Sequence, residues 1–336
     1  MAFRTFLHLG ENACKCIFAT VQFKSKSHVV DQYKQVRNFY KFRGKTKVIK
    51  THLPNGSSKT QPEHIGSLWK PLTFTIMFSG TTFIGAAIWE YERIREKAYK
   101  MIRNYAQRRI HRTGWRYKMH TWWNNLSEGE KMFAPICFLN VLVFLSWRIP
   151  AFRPTMYRYF CSNSGASCWP MLFLTFSHYS PFHLLINMYV LYNFSTVAVS
   201  TLGREQFMAL YLTSGVVSSF SSFLYKVAFG ITTPSLGASG ALMGILGFIC
   251  TENPNMYLTI VFLPMWKFTA NTAIKAVMGL DALGCLLRWR IFDHAAHLGG
   301  ALFGIFWHAW GNANIWQKRE PVLMLWHQFR EPPRSH

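Results

Sequence analysis

A serine and a histidine in two separate apolar segments are the residues of this chain best suited to chemistry. Ser239 lies within Gly237-Ala238-Ser239-Gly240, and His297 lies within the last long apolar segment. A serine hydroxyl becomes a nucleophile when a nearby base accepts its proton, and an imidazole is well suited to that role. If the two segments pack together, Ser239 and His297 predict nucleophilic catalysis at the depth of a membrane.

Glycines accompany both residues and indicate how their segments meet. Small residues spaced three or four apart form a stripe on a helix, and two such stripes let helix backbones approach closely. The glycines concerned are Gly237, Gly240, Gly244, Gly300 and Gly304. The alternative interpretation is that the stripes serve helix packing alone and that the serine is incidental.

The residues before Ser239 predict that it begins a helix. Pro234 and Gly237 are typical of an irregular stretch that precedes a helix start. The first backbone N–H groups of a helix lack intrahelical acceptors, so they can stabilise a negatively charged oxygen. The Ser239 N–H is therefore a candidate oxyanion donor.

His183 and Asn187 are a second polar pair in an apolar segment. They stand four residues apart, directly after Pro181, and so share one helix face. We expect them either to complete an oxyanion hole with side-chain donors or to form a buried hydrogen-bonded pair between helices.

Composition places this chemistry in a membrane protein. Half of the 336 residues are hydrophobic, 15% are charged, and the formal net charge is +23. The charge lies mostly in residues 1–131, where basic segments flank an apolar span. Such flanks are explained by membrane topology and by contact with anionic lipid. No nucleic-acid-binding motif accompanies them, so we expect no nucleic-acid partner.

The apolar segments predict an all-α membrane protein with one span followed by six. A helix needs about 20 apolar residues to cross a bilayer. The predicted spans are 71–89, 132–149, 181–201, 205–228, 238–253, 270–288 and 294–312. Residues 256–265 are apolar but too short to cross, and we expect a loop or a re-entrant piece there. Trp316 and Trp326 are expected to anchor a polar tail at the membrane interface.

The ends and the connector complete the predicted domain organisation. The start of the chain is basic, apolar and poor in acids, which is typical of a mitochondrial transit peptide. Residues 91–112 predict an amphipathic helix at a membrane surface. The divisions are 1–69 (basic N-terminal region), 70–90 (extra helix), 91–131 (basic connector), 132–312 (catalytic core) and 313–336 (polar tail).

The three motifs together resemble the rhomboid family of intramembrane serine proteases. They occur on three different spans, in the same order as in that family. The resemblance to the family covers about residues 132–312. Two features are similar to the mitochondrial presenilin-associated type: the extra span before the core, and the sequence Phe292-Asp293-His294-Ala295-Ala296-His297. One position departs from bacterial members, because Met243 stands where they usually carry a tyrosine that stacks on the histidine.

The resemblance implies an enzyme without a metal or other cofactor. Ser239 would be the nucleophile and His297 the general base and acid, in a dyad without a third carboxylate. The Ser239 N–H, His183 and Asn187 would hold the oxyanion. The substrates would be transmembrane segments of other proteins in the inner mitochondrial membrane, linked to mitochondrial dynamics, mitophagy and cell death.

Three alternatives remain open from the sequence. A catalytically inactive rhomboid-like protein would bind transmembrane clients without cutting them, although both Ser239 and His297 are present here. Asp281, inside a predicted span, is either a proton-relay or transport residue or a polar contact that orients the catalytic helices. A zinc protease is disfavoured because H-E-x-x-H is absent.

Overall fold

The computed structural model describes residues 68–106, 114–162, 168–260 and 263–330. All of them belong to the second of two compact units, Gln61–His336. The predicted transit peptide and most of the basic N-terminal region lie outside the described residues, as do residues 107–113 of the connector and 331–336 of the tail.

The described part is almost entirely helical. Its longer helices are α1 (Trp69–Ala106), α2 (Trp115–Asn125), α3 (Glu128–Ser146), α6 (Pro181–Leu202), α7 (Arg204–Phe229), α8 (Ser239–Glu252), α9 (Ala270–Leu286), α10 (His294–Phe306) and α11 (Glu320–Arg330). Two short helices, α4 (Arg153–Tyr159) and α5 (Pro170–Phe173), lie between α3 and α6, and a π-helical stretch, Trp307–Trp316, continues α10.

Four of the described helices are long and apolar enough to cross a membrane. They are α1 (over Trp69–Arg103), α3, α6 and α7. The other three predicted spans coincide with shorter elements, because α8 has 14 residues, α9 has 17, and α10 has 13 before its helix changes to the π form. The described residues are therefore mostly helical, with four candidate membrane-spanning helices.

The first span and the start of the basic connector form one helix. We predicted a span that ends near residue 89 and a separate amphipathic helix from 91, but α1 runs through 38 residues without a break. The turn at the start of the charged half packs against the protein: Glu90 accepts hydrogen bonds from Arg319, and Arg93 forms an ion pair with the buried Glu205. Those contacts dock residues 90–93, whereas residues 96–103 of the same helix are exposed.

The apolar stretch after α8 is a β-hairpin, so the predicted loop is wrong, and the re-entrant alternative stays a prediction. Strand β1 (Tyr257–Ile260) pairs antiparallel with β2 (Leu263–Thr269), and Tyr257 lies opposite Thr269. The two strands satisfy part of each other's backbone hydrogen-bonding groups. Thr269 then caps α9 by accepting the N–H of Thr272.

The described part of the tail contains a helix and packs against α1. Trp316 is 6% exposed and packs its ring edge against Phe83 of α1, with ring centroids 6.4 Å apart. Trp326, in α11, donates its indole N–H to Glu92 at 3.0 Å. Both tryptophans therefore hold the C-terminal region against α1, and their role as interface anchors stays a prediction.

Candidate active site

Ser239 and His297 lie side by side, although separate helices carry them. Ser239 is the first residue of α8, and His297 lies in the first turn of α10. The Ser239 Oγ is 2.8 Å from His297 Nε2, which is hydrogen-bond distance. With Nδ1 protonated, Nε2 can accept the serine proton, as general-base activation requires.

The glycine stripes bring the two helices together at the backbone. A Cβ added to Gly300 would lie 2.1 Å from the Gly240 carbonyl oxygen, and one on Gly304 would lie 1.9 Å from the Gly244 carbonyl oxygen. No side chain fits in these gaps. The distance between α8 and α10, and with it the distance from Ser239 to His297, depends on the absence of Cβ atoms at these positions.

The chain enters α8 through a glycine that contacts His183. Gly237 has φ +138°, which favours glycine, and a Cβ there would lie 2.7 Å from His183 Cε1 and 3.8 Å from Ser239 Oγ. The His183 ring therefore lies against the turn that presents the serine. Asn187, one helical turn further, is 4% exposed and donates its amide N–H to the His183 carbonyl at 2.8 Å.

Asp281 lies beside the histidine, which the resemblance did not lead us to expect. Its side chain is buried in α9, and Oδ1 is 3.3 Å from His297 Nδ1 and 2.7 Å from His294 Nδ1. Ser239, His297 and Asp281 thus have the connectivity of a Ser–His–Asp triad, in which the carboxylate orients the imidazole. In the sequence, Asp281 stood out as a charged residue inside a predicted span, but nothing in the sequence identified His297 as its partner.

His178 is a further residue beside the turn that presents Ser239. Ser177 and His178 are fully buried, and of residues 176–180 only Tyr179 is exposed. Burial and the nearby His183 charge lower the pKa of His178 to about 3. The imidazole is therefore neutral, and its Nε2 accepts the Ala238 N–H at 3.4 Å, just before Ser239.

The aromatic neighbour of His297 comes from its own segment. The ring centroids of Phe292 and His297 are 6.1 Å apart, whereas Met243 packs in an apolar cluster with Cys250 and Ile274. In this chain Phe292 lies near the imidazole with its ring tilted by 32°, and Met243 contributes to the packing between helices.

Comparison with known proteins gives the same family as the motifs. A model described as "Rhomboid domain" matches residues 165–312, which contain Ser239, His297, His183 and Asn187. The human presenilin-associated rhomboid-like protein, mitochondrial, is 48% identical over 277 residues, which are 80% of this chain and 73% of that protein. The chain belongs to the rhomboid family.

Two relatives with lower identity are also named as rhomboids. Rhomboid protein 1, mitochondrial, of Saccharomyces cerevisiae is 36% identical over half of each chain. The rhomboid protease GluP of Bacillus subtilis is 28% identical over 41% of this chain and 25% of that protein. The resemblance that the motifs carried, to rhomboids and to their mitochondrial presenilin-associated type, is confirmed.

Proposed function

We propose that this rhomboid protein is an intramembrane serine endopeptidase. The observation that carries the proposal is the 2.8 Å contact between Ser239 Oγ and His297 Nε2 at the start of two closely packed apolar helices. A rhomboid-like protein that only binds its clients has no need of this contact. Relatives named as mitochondrial and as a protease support the same function.

In the proposed reaction, Ser239 Oγ attacks the carbonyl carbon of the scissile peptide bond while His297 Nε2 takes the serine proton. The resulting oxyanion accepts hydrogen bonds from the Ser239 N–H, His183 and Asn187. His297 then donates its proton to the leaving amine, which leaves an ester on Ser239. A water molecule, deprotonated by His297, hydrolyses the ester and restores the serine. Asp281 accepts from His297 Nδ1 and stabilises the imidazolium in both steps.

We propose that the chain crosses the inner mitochondrial membrane with one helix before a six-helix core. The additional helix is α1, and the core comprises α3, α6, α7, α8, α9 and α10, within the predicted core limits of 132–312. Residues 1–69 form a basic region with a transit peptide, and the part of the connector after α1 contacts anionic lipid. The substrates are transmembrane segments of proteins that act in mitochondrial dynamics, mitophagy or apoptosis.

The test is cleavage of a labelled transmembrane substrate by purified protein in liposomes. We expect a product with the wild type and none with Ser239→Ala or His297→Ala. Ser200→Ala and His120→Ala are matched controls, since Ser200 bonds only its own helix at Val197 and His120 is exposed on α2. Binding of several substrates without cleavage by the wild type would support the inactive client-binding protein and overturn the proposal.

A further inference from the structure

A polar cluster outside the catalytic contact joins the segment before Ser239 to the helix of His297. Its centre is Lys226, near the end of α7, whose side chain is only 16% exposed. Its other members are Ser162, Ser222, Ser235 and Asp293. They come from four separate parts of the chain, and we refer to them together as the Lys226 cluster.

The Lys226 ammonium donates to two hydroxyls and forms an ion pair with a carboxylate. Nζ is 2.6 Å from Ser235 Oγ, 2.9 Å from Ser162 Oγ and 3.4 Å from Asp293 Oδ2. An ammonium carries only donors, so all three neighbours are groups that can accept from it. A lysine enclosed in this way is fixed in position, in contrast to one that extends into solvent.

On one side, the Lys226 cluster fixes the chain that leads to the nucleophile. Ser235 lies four residues before Ser239, and it pairs with Ser162 through two bonds that involve the backbone: Ser162 N–H to Ser235 O at 2.8 Å and Ser235 N–H to Ser162 Oγ at 2.9 Å. Lys226 binds both hydroxyls of this pair. Lys226 thus connects this pair, and with it the segment that leads to Ser239, to α7.

On the other side, the Lys226 cluster fixes the start of α10. Asp293 caps that helix by accepting the Ala296 N–H at 3.1 Å, and its second oxygen accepts from Ser222 at 2.5 Å. Burial alone would raise the pKa of Asp293, but the Lys226 charge and the Ser222 hydrogen bond hold it below its ordinary value. Asp293 is thus ionised at neutral pH and lies four residues before His297.

We infer that Lys226 is a positioning residue for the proteolytic reaction, because one ammonium holds the segment that presents Ser239 and the cap of the helix that carries His297. The inference rests on the proposed protease function. A displacement of about 1 Å between reacting groups can cost about 100-fold in rate. The Lys226 cluster controls that geometry without touching the substrate.

Lys226→Met tests the inference, since it keeps the apolar stem and removes the charge and donors. We expect kcat to fall about tenfold or more, KM to stay within about twofold, and amide hydrogen exchange of residues 233–239 to accelerate. Lys275→Met, which removes an exposed lysine on α9, is the matched control and should leave all three quantities unchanged. Unchanged kcat and unchanged exchange in Lys226→Met would overturn the inference.

Two further variants keep the test decisive if the unpaired Asp293 charge prevents Lys226→Met from folding. Lys226→Met/Asp293→Asn removes both charges and should still show the kcat loss and faster exchange. Ser235→Ala changes only the nucleophile side, and its kcat effect should be non-additive with that of Lys226→Met in a double-mutant cycle. Additive effects would show that Lys226 does not act through Ser235.

Failure of the inference is distinguishable from failure of the proposed function. A wild type that cleaves in a Ser239-dependent way, beside a fully active Lys226→Met, refutes only the role of Lys226. A wild type without protease activity refutes the proposed function, and the hydrogen-exchange comparison still decides whether Lys226 holds residues 233–239.

Discussion

At the scale of single residues, the candidate site depends on the contacts that the two nitrogens of one imidazole make. The imidazole of His297 lies between Ser239 Oγ on one nitrogen and Asp281 Oδ1 on the other. His294 contacts the same carboxylate oxygen at 2.7 Å. Two histidines therefore share one acceptor, which holds the carboxylate in place beside His297.

Asp281→Asn should lower kcat by about tenfold or more, for two reasons. A neutral amide stabilises the imidazolium poorly. Its N–H can also donate to Nδ1, whereas the reaction needs Nδ1 protonated so that Nε2 is free to accept the serine proton. KM should change little, since Asp281 lies behind His297. Steady-state kinetics in liposomes measure both, and Asp281→Glu should recover part of the loss. Wild-type kcat in Asp281→Asn would reduce Asp281 to a packing role.

Gly237→Ala should abolish most activity while the protein remains folded. The new methyl group would require an unfavourable positive φ and would lie 2.7 Å from the His183 ring, so the turn that presents Ser239 has to move. Gly230→Ala is the control, since Gly230 also has positive φ but nothing lies within 4 Å of its added Cβ. A fully active Gly237→Ala would show that the turn tolerates a side chain and would contradict this account.

At the scale of elements, the site depends on how closely α8 and α10 approach. In a membrane, apolar side chains gain little by leaving lipid, and helix association relies on close van der Waals packing. The carbonyl oxygens of Gly240 and Gly244 occupy the places where Cβ atoms on Gly300 and Gly304 would be. The stripes seen in the sequence are thus the surfaces through which the two helices meet.

Gly300→Ala should separate α8 from α10, because the backbone oxygen 2.1 Å from the new Cβ cannot move aside as a flexible side chain can. We expect activity to fall about 100-fold or more together with a lower thermal midpoint in detergent. Gly279→Ala in α9 is the control, since its added Cβ meets nothing within 4 Å and should be neutral or stabilising. A fully active Gly300→Ala would contradict the close-packing account.

At the scale of the whole described unit, α1 is joined to the core by buried charge. Arg93 pairs with Glu205, whose side chain is 1% exposed, while Arg319 and Glu90 connect α1 to the C-terminal region. The pair between Lys100 and Glu96 lies on the surface instead, with both side chains more than half exposed. The two kinds of pair should differ strongly in their effect on stability.

Arg93→Ala should destabilise the protein by about 3–5 kcal/mol, because it leaves the Glu205 carboxylate buried without its partner. Lys100→Ala removes a solvated partner and should cost less than about 1 kcal/mol. Equilibrium unfolding in detergent micelles compares the two. A stability loss of similar size in both variants would mean that the Arg93 pair does not anchor α1.

The sequence predicted the family and the catalytic candidates because their chemistry is carried by local motifs. Ser239, His297, His183 and Asn187 each stand in an apolar segment where a polar side chain is costly without a purpose. The segments themselves were recognisable from the lengths of their apolar runs, and α6 and α7 begin and end within one residue of the predicted limits.

Tertiary contacts decided the rest, because they depend on residues far apart in the chain. Glu205 and Arg319 hold the turn of α1 that follows the first apolar stretch, and the hairpin forms through backbone pairing between its two strands. Asp281 faces His297, and Lys226 meets Ser235 and Asp293, only once the helices have packed. Periodicity and apolar length specify which helices form, whereas side-chain partners across helices are set by the close approach that the glycine stripes permit.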